Sequence, residues 1–140
     1  MAYPQVSYSR PDASLTITNV FPGAGATTAS TNSIDLGVAS PNLAGTDSDV
    51  VLTLPATTTP TGATFTFTVQ DSADNVTFAA TGPIARLAPA VITGASNATA
   101  AATFTWRLPP GVKQYIKVSV TSSAGASGQT TLNYQLAVLT

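Results

Sequence analysis

The sequence predicts an all-β fold, a two-sheet antiparallel β-sandwich preceded by an extended N-terminal arm. Three observations carry that expectation. Apolar residues recur at every second position in several short segments, the period of a half-buried strand. Strong helix formers are scarce: Glu is absent, Lys is rare, Leu is scattered, and Ala is interleaved with Thr, Gly and Pro. Ten Gly and ten Pro divide the chain into short pieces.

Along the chain, residues 1–13 hold Pro4 and Pro11 around polar residues, Tyr3 and Tyr8. Their lack of a strand pattern predicts the extended arm, with a disordered tail as the other reading, and residues 14–140 are expected to form a single sandwich domain. Leu15 and Ile17 start a first strand, and Ile34 and Leu36 mark a short one. Val50, Leu52 and Leu54 give another. In Thr64 to Gln70 (TFTFTVQ), Phe65, Phe67 and Val69 face one way and the Thr residues and Gln70 the other. Thr103 to Leu108 repeats this with Phe104, Trp106 and Leu108 inward. Tyr115 to Thr121 does so with Ile116, Val118 and Val120 inward and Lys117 and Ser119 outward. Leu132, Tyr134, Leu136 and Val138 share the face of a last strand. The spacing suits about eight strands of a sandwich, with Thr supplying an uncharged outer surface. The best helical stretch, Asn97 to Ala102, is too short to matter.

Turn chemistry separates these segments. Asp71 to Asn75 (DSADN) reads as a turn in which Asx side chains bond nearby backbone. Pro109, Pro110 and Gly111 end a strand, because proline donates nothing to a ladder. Ser122 to Gln129 and Ala56 to Ala63 read as longer connections.

Composition narrows the functional classes. Charged residues make up 8% of the 140, for a net charge of -1. There is no basic footprint for nucleic acid and no polybasic membrane patch. No run approaches the roughly 20 apolar residues of a membrane span. The first fifteen residues show no apolar core of a cleavable leader, so synthesis in the cytosol is expected. With no Cys there are no disulfides or thiolate metal sites.

Catalytic constellations find little support. Without His, the many Ser and Thr hydroxyls lack the usual base. Lys113 and Lys117 are the lysines open to a Ser–Lys pair, and Lys117 reads as an outward, solubilising residue. Asp47 and Asp49 (GTDSD) and Asp71 and Asp74 (DSADN) are acid pairs. They lack the spacing of a calcium loop, and turn capping accounts for them better than glycosidase or metal chemistry. Trp106, Phe65, Phe67 and Phe78 fit the inward pattern, which leaves Tyr3, Tyr8 and Tyr115 for surface contacts. The sequons at Asn75 and Asn97 are expected by chance in a Thr-rich chain. No enzyme activity, cofactor or metal is expected.

Three segments in order, STNSIDLG (Ser30 to Gly37), VQDSADNVTF (Val69 to Phe78) and LPPGVKQYIKVSV (Leu108 to Val120), give a family likeness. Together they resemble the small jelly-roll-type capsid cement, or decoration, proteins of tailed bacteriophages, over roughly residues 30 to 138. The longer N-terminal part and the Ala90 to Thr103 segment depart from that pattern. The resemblance implies a jelly-roll-like sandwich on the outer surface of the virion, without catalytic residues. It implies the major capsid protein as partner and a homo-oligomer, dimer or trimer, seated at the joints between capsid subunits. Tyr3, Pro4, Tyr8, Arg10, Pro11 and Tyr115 are the candidate capsid or subunit contacts. From the residues alone, jelly-roll and immunoglobulin-like orders both fit the strand pattern. An adhesive or carbohydrate-binding module of a phage fibre or cell-surface protein is the alternative function.

Overall fold

The computed structural model describes residues 16–20, 25–30, 32–37, 48–56, 63–93, 100–123 and 133–139. Among them are nine strands: β1 (Thr16–Val20), β2 (Thr27–Ala29), β3 (Ile34–Asp35), β4 (Asp49–Leu54), β5 (Thr64–Ser72), β6 (Ala90–Thr93), β7 (Ala102–Arg107), β8 (Tyr115–Ser122) and β9 (Asn133–Leu139). The one helical element among the described residues is a 3-10 helix at Gly82–Arg86, whose Ile84 is buried in the core.

The strands form two antiparallel sheets, one in the order β1-β9-β4-β7 and one in the order β2-β8-β5-β6, with β3 also on β8. β2 and β3 lie along the same strand and act as one interrupted edge. Thr27–Ala29 pair with Thr121–Ser119, and Ile34–Asp35 with Ile116–Tyr115. Apart from the β2–β3 interruption and the β5–β6 pair, successive strands alternate between the sheets. That is the two-Greek-key order of a jelly roll, and it separates this fold from the immunoglobulin-like order that also suited the sequence.

Alternation explains the layers. The inward rows are Val50, Leu52 and Leu54 of β4, Leu136 and Val138 of β9, Phe65, Phe67 and Val69 of β5, and Ile116, Val118 and Val120 of β8. All are buried in one hydrophobic cluster between the sheets. Each such large side chain contributes roughly 1.5–3 kcal/mol on leaving water. The outward rows are Thr66 and Thr68 on β5 facing Thr121 and Ser119 on β8, Thr64 facing Thr93 on β6, and Thr53 facing Thr103 on the other sheet. Thr27 and Thr121 join their hydroxyls at 2.9 Å across strands. Asp49 and Arg107, directly opposed, form a surface ion pair at 3.0 Å.

Several expectations shift. β2 and β6 were not expected; their sequences, TTA and AVIT, are too short or too poor in large apolar residues to announce themselves. Trp106 and Phe104 are only half-buried, because β7 is an edge strand; they stack at 6.2 Å and pack on the core from its rim. Phe78 is not a core residue, since the alternation that would aim it inward is broken by the preceding turn. Asp71 is not a turn residue but belongs to β5. In the short helical stretch, Ala100 and Ala101 are not helical and Ala102 opens β7; residues 97–99 lie outside the described residues. The N-terminal arm, residues 1–13, also lies outside them.

Candidate functional site

The site is a corner of the sandwich where β5 ends and β8 begins. Its first component is Asp71. The inward row of β5 runs Phe65, Phe67, Val69 and then Asp71, so the period of two delivers a carboxylate into the end of the core. Asp71 is fully buried. The backbone N–H of Lys113 donates to its Oδ2 at 3.1 Å, and the Lys113 ammonium stands 3.6 Å from its Oδ1. A buried carboxylate needs such partners, and these tie β5 to the Pro109–Pro110–Gly111 loop. The loop turns at Gly111, whose φ of +84° suits glycine; a Cβ there would also stand 3.2 Å from Pro83 Cγ.

The second component is the turn from Ser72 to Phe78. Asp71 and Ala79 exchange backbone hydrogen bonds of 3.0 and 3.1 Å and close it. Asp74 organises the interior: the N–H groups of Thr77 and Val76 donate to its Oδ1 at 2.8 and 2.9 Å, and the Ser72 hydroxyl at 2.7 Å. Thr77 above all, then Ser72 and Val76, hold this carboxyl well below the usual range. Asn75 takes the left-handed region at φ 58°, which Asn tolerates better than most residues. The turn then leans over the outer face of β8. Phe78 lies against the Lys117 ammonium, 4.0 Å from ring centre to Nζ.

The third component is the break between β2 and β3. Ser30 N–H donates to Val118 O at 2.9 Å, and its Oγ bridges the same residue's N–H and carbonyl, so it extends the pairing where β2 stops. Ser33 Oγ donates to Asn75 Oδ1 at 2.5 Å. Asp35 accepts from Gln114 Nε2 at 2.9 Å and from Gly37 N–H at 2.8 Å, and these two bonds lower its pKa in that order.

Between the components opens a hollow of about 450 Å³, lined by Ser30, Asn32, Ser33, Asn75, Val76, Phe78 and Lys117. Lys117 is the one charged residue lining it. Among the described residues no carboxylate comes within ion-pairing reach of that ammonium. At the rim, Val76 is 80% exposed, the most exposed large apolar side chain among the described residues.

Parts of the three segments quoted for their likeness to cement proteins thus meet at one corner. Ser33 bonds Asn75, Asp35 bonds Gln114, and Asp71 bonds Lys113. Residues 23–138, which include all three segments, match the Bbp16 family model. The chain belongs to the Bbp16 family. No curated protein matches it. Within this Bbp16 chain, Tyr115 opens β8, half-buried and paired in register with Ser72 and Asp35 at the corner. The other contacts expected from sequence, Tyr3, Pro4, Tyr8, Arg10 and Pro11, lie outside the described residues. Sequence reasoning passed over Asp71 as a buried tie, Val76 and Ser33. Only Asp71 left a readable signal, since continuing the β5 alternation by one step puts it inward. Among the described residues no three His, Cys, Asp or Glu gather as metal ligands, and no helix is long and apolar enough to cross a membrane.

Proposed function

We propose that this Bbp16-family protein is a non-enzymatic decoration protein that binds the outer surface of a tailed-phage head and reinforces the joints between major capsid protein subunits. One observation carries the reading. The three distant segments that resemble phage cement proteins assemble into a single cross-bonded corner, with a preformed hollow and an exposed apolar tip. A jelly-roll fold by itself hosts many functions, so the reading leans on this surface rather than on the architecture. The charge-poor exterior also supports it, because contacts made with few ions vary little with salt. Acting as a dimer or trimer, the protein would touch several capsid subunits and gain by multivalency.

The alternative, an adhesive or carbohydrate-binding module, has less support. The aromatic ring at the hollow, Phe78, is covered by Lys117, and Phe104 and Trp106 stack on each other against the core. The deciding experiment mixes the purified full chain with expanded heads and, separately, with a glycan array. Saturable, stoichiometric co-sedimentation with heads is the expected result. Glycan retention with no head binding would replace this reading by the alternative.

A further inference from the structure

We infer that the hollow and the Val76 tip are the docking point for an acidic side chain on the shell protein: a partner carboxylate meets Lys117 while an adjoining apolar pocket receives Val76. This rests on the decoration reading and names the chemistry of its contact. Charge complementarity selects the occupant. Lys117 and Lys113 are the two lysines of the chain and both stand at this corner. Lys113 faces the Asp71 carboxylate, whereas Lys117 meets only the Phe78 ring among the described residues. The neighbouring acids are engaged elsewhere: Asp74 accepts from Thr77, Val76 and Ser72, and Asp35 from Gln114 and Gly37. Asn75, which lines the same hollow as Lys117, spends its oxygen on Ser33 and keeps its amide N–H groups as donors. A hollow whose ammonium and amide N–H groups meet no acceptor among the described residues suits an anionic one.

Shape points the same way. Val76 stands on a turn fixed by three bonds to one carboxylate and by the Ser33–Asn75 bond, so its position is set before any partner arrives. A preorganised apolar anchor loses little freedom on binding.

The test measures binding of full-length variants to expanded heads by quantitative co-sedimentation, each first shown to melt like the parent. Val76→Ser and Lys117→Gln should each weaken binding by about tenfold. Lys117→Arg keeps charge and ring contact and should bind normally. Lys117→Glu should bind several-fold worse than Lys117→Gln. Both lose the ring contact equally, so that gap reads repulsion from a facing carboxylate and not a structural defect. Thr105→Ala, on the outer face of the other sheet, should bind as the parent does. Equal binding by the parent, Val76→Ser and Lys117→Glu overturns this inference and leaves the decoration reading standing. Equal losses for Gln and Glu overturn the acidic partner. Absence of head binding by the parent overturns both the decoration reading and this inference.

Discussion

Removing the Asp71 side chain should cost more than removing its charge. In Asp71→Ala the Lys113 backbone N–H loses its acceptor 3.1 Å away, at a partly buried position, and the end of the core gains a void. A hydrogen bond to a charged acceptor contributes about 1.5–3 kcal/mol net. The ion pair adds less than a fully buried one, because the Lys113 side chain is 45% exposed and its ammonium returns to water when the carboxylate goes. Relief from burying a charge offsets part of the loss. The balance is about 2–3 kcal/mol for Asp71→Ala. Asp71→Asn keeps a carbonyl oxygen for the Lys113 N–H, keeps the volume and sheds the desolvated charge, so it should cost about 1 kcal/mol or less. Urea unfolding at pH 7 with a common m-value reads both. Equal losses for Ala and Asn, or an Ala variant within 0.5 kcal/mol of the parent (the usual scatter of a surface change), would refute the tie between β5 and the Gly111 loop.

Other sites divide similarly by environment. Phe67→Ala, at the buried centre of β5, should cost about 3–5 kcal/mol, and Trp106→Ala, half-buried on an edge strand, clearly less, as thermal or urea melts will show. Asn75→Ala keeps a φ of 58° without the amide and should lose about 1–2 kcal/mol, while Asn75→Gly should recover most of that in the same melts. Asp74 titrates in the folded turn below its unfolded value, so its contribution is complete at neutral pH, starts to fall as pH drops through the ordinary carboxylate range, and vanishes only well below it. Urea midpoints from pH 7 to pH 2 should therefore fall less steeply for Asp74→Asn than for the parent, and parallel curves would remove Asp74 as the turn's organiser.

The core was legible because its signal is local. Phe65, Phe67 and Val69, or Ile116, Val118 and Val120, announce a strand within seven residues, and both sit buried where the alternation puts them. Sheet order was not legible, since the same rows serve several sandwich topologies and only pairing across some 40 to 100 residues distinguishes them. The corner was the least legible part. Asp71 and Asp74 stand three residues apart in one motif yet have opposite fates: Asp71 continues a strand row into the core, and Asp74 caps a turn in solvent. Ser33 gives no sign of its role, because its partner Asn75 is 42 residues away. Phe78 looked like another strand residue until the turn placed it over Lys117.

Specificity in a molecule of this composition has to come from a break in its regularity. The outer rows repeat Thr along β5 and β7, and a partner laid on them meets much the same surface after a slip of two residues. Such faces supply area and hydrogen bonds but a poor register. The corner interrupts the repeat with an ammonium that meets only the Phe78 ring among the described residues, one exposed valine and a turn whose shape is fixed by its own carboxylate. A decoration protein that must seat identically at many equivalent sites needs an asymmetric mark of that kind, and a rigid one, since each copy otherwise loses affinity to ordering its loop. Under the proposed reading, the corner rather than the Thr faces makes the contact and sets orientation. Variants at Val76 or Lys117 should then disturb how copies sit on the head as well as how many bind, which changes at Thr66 or Thr105 should not.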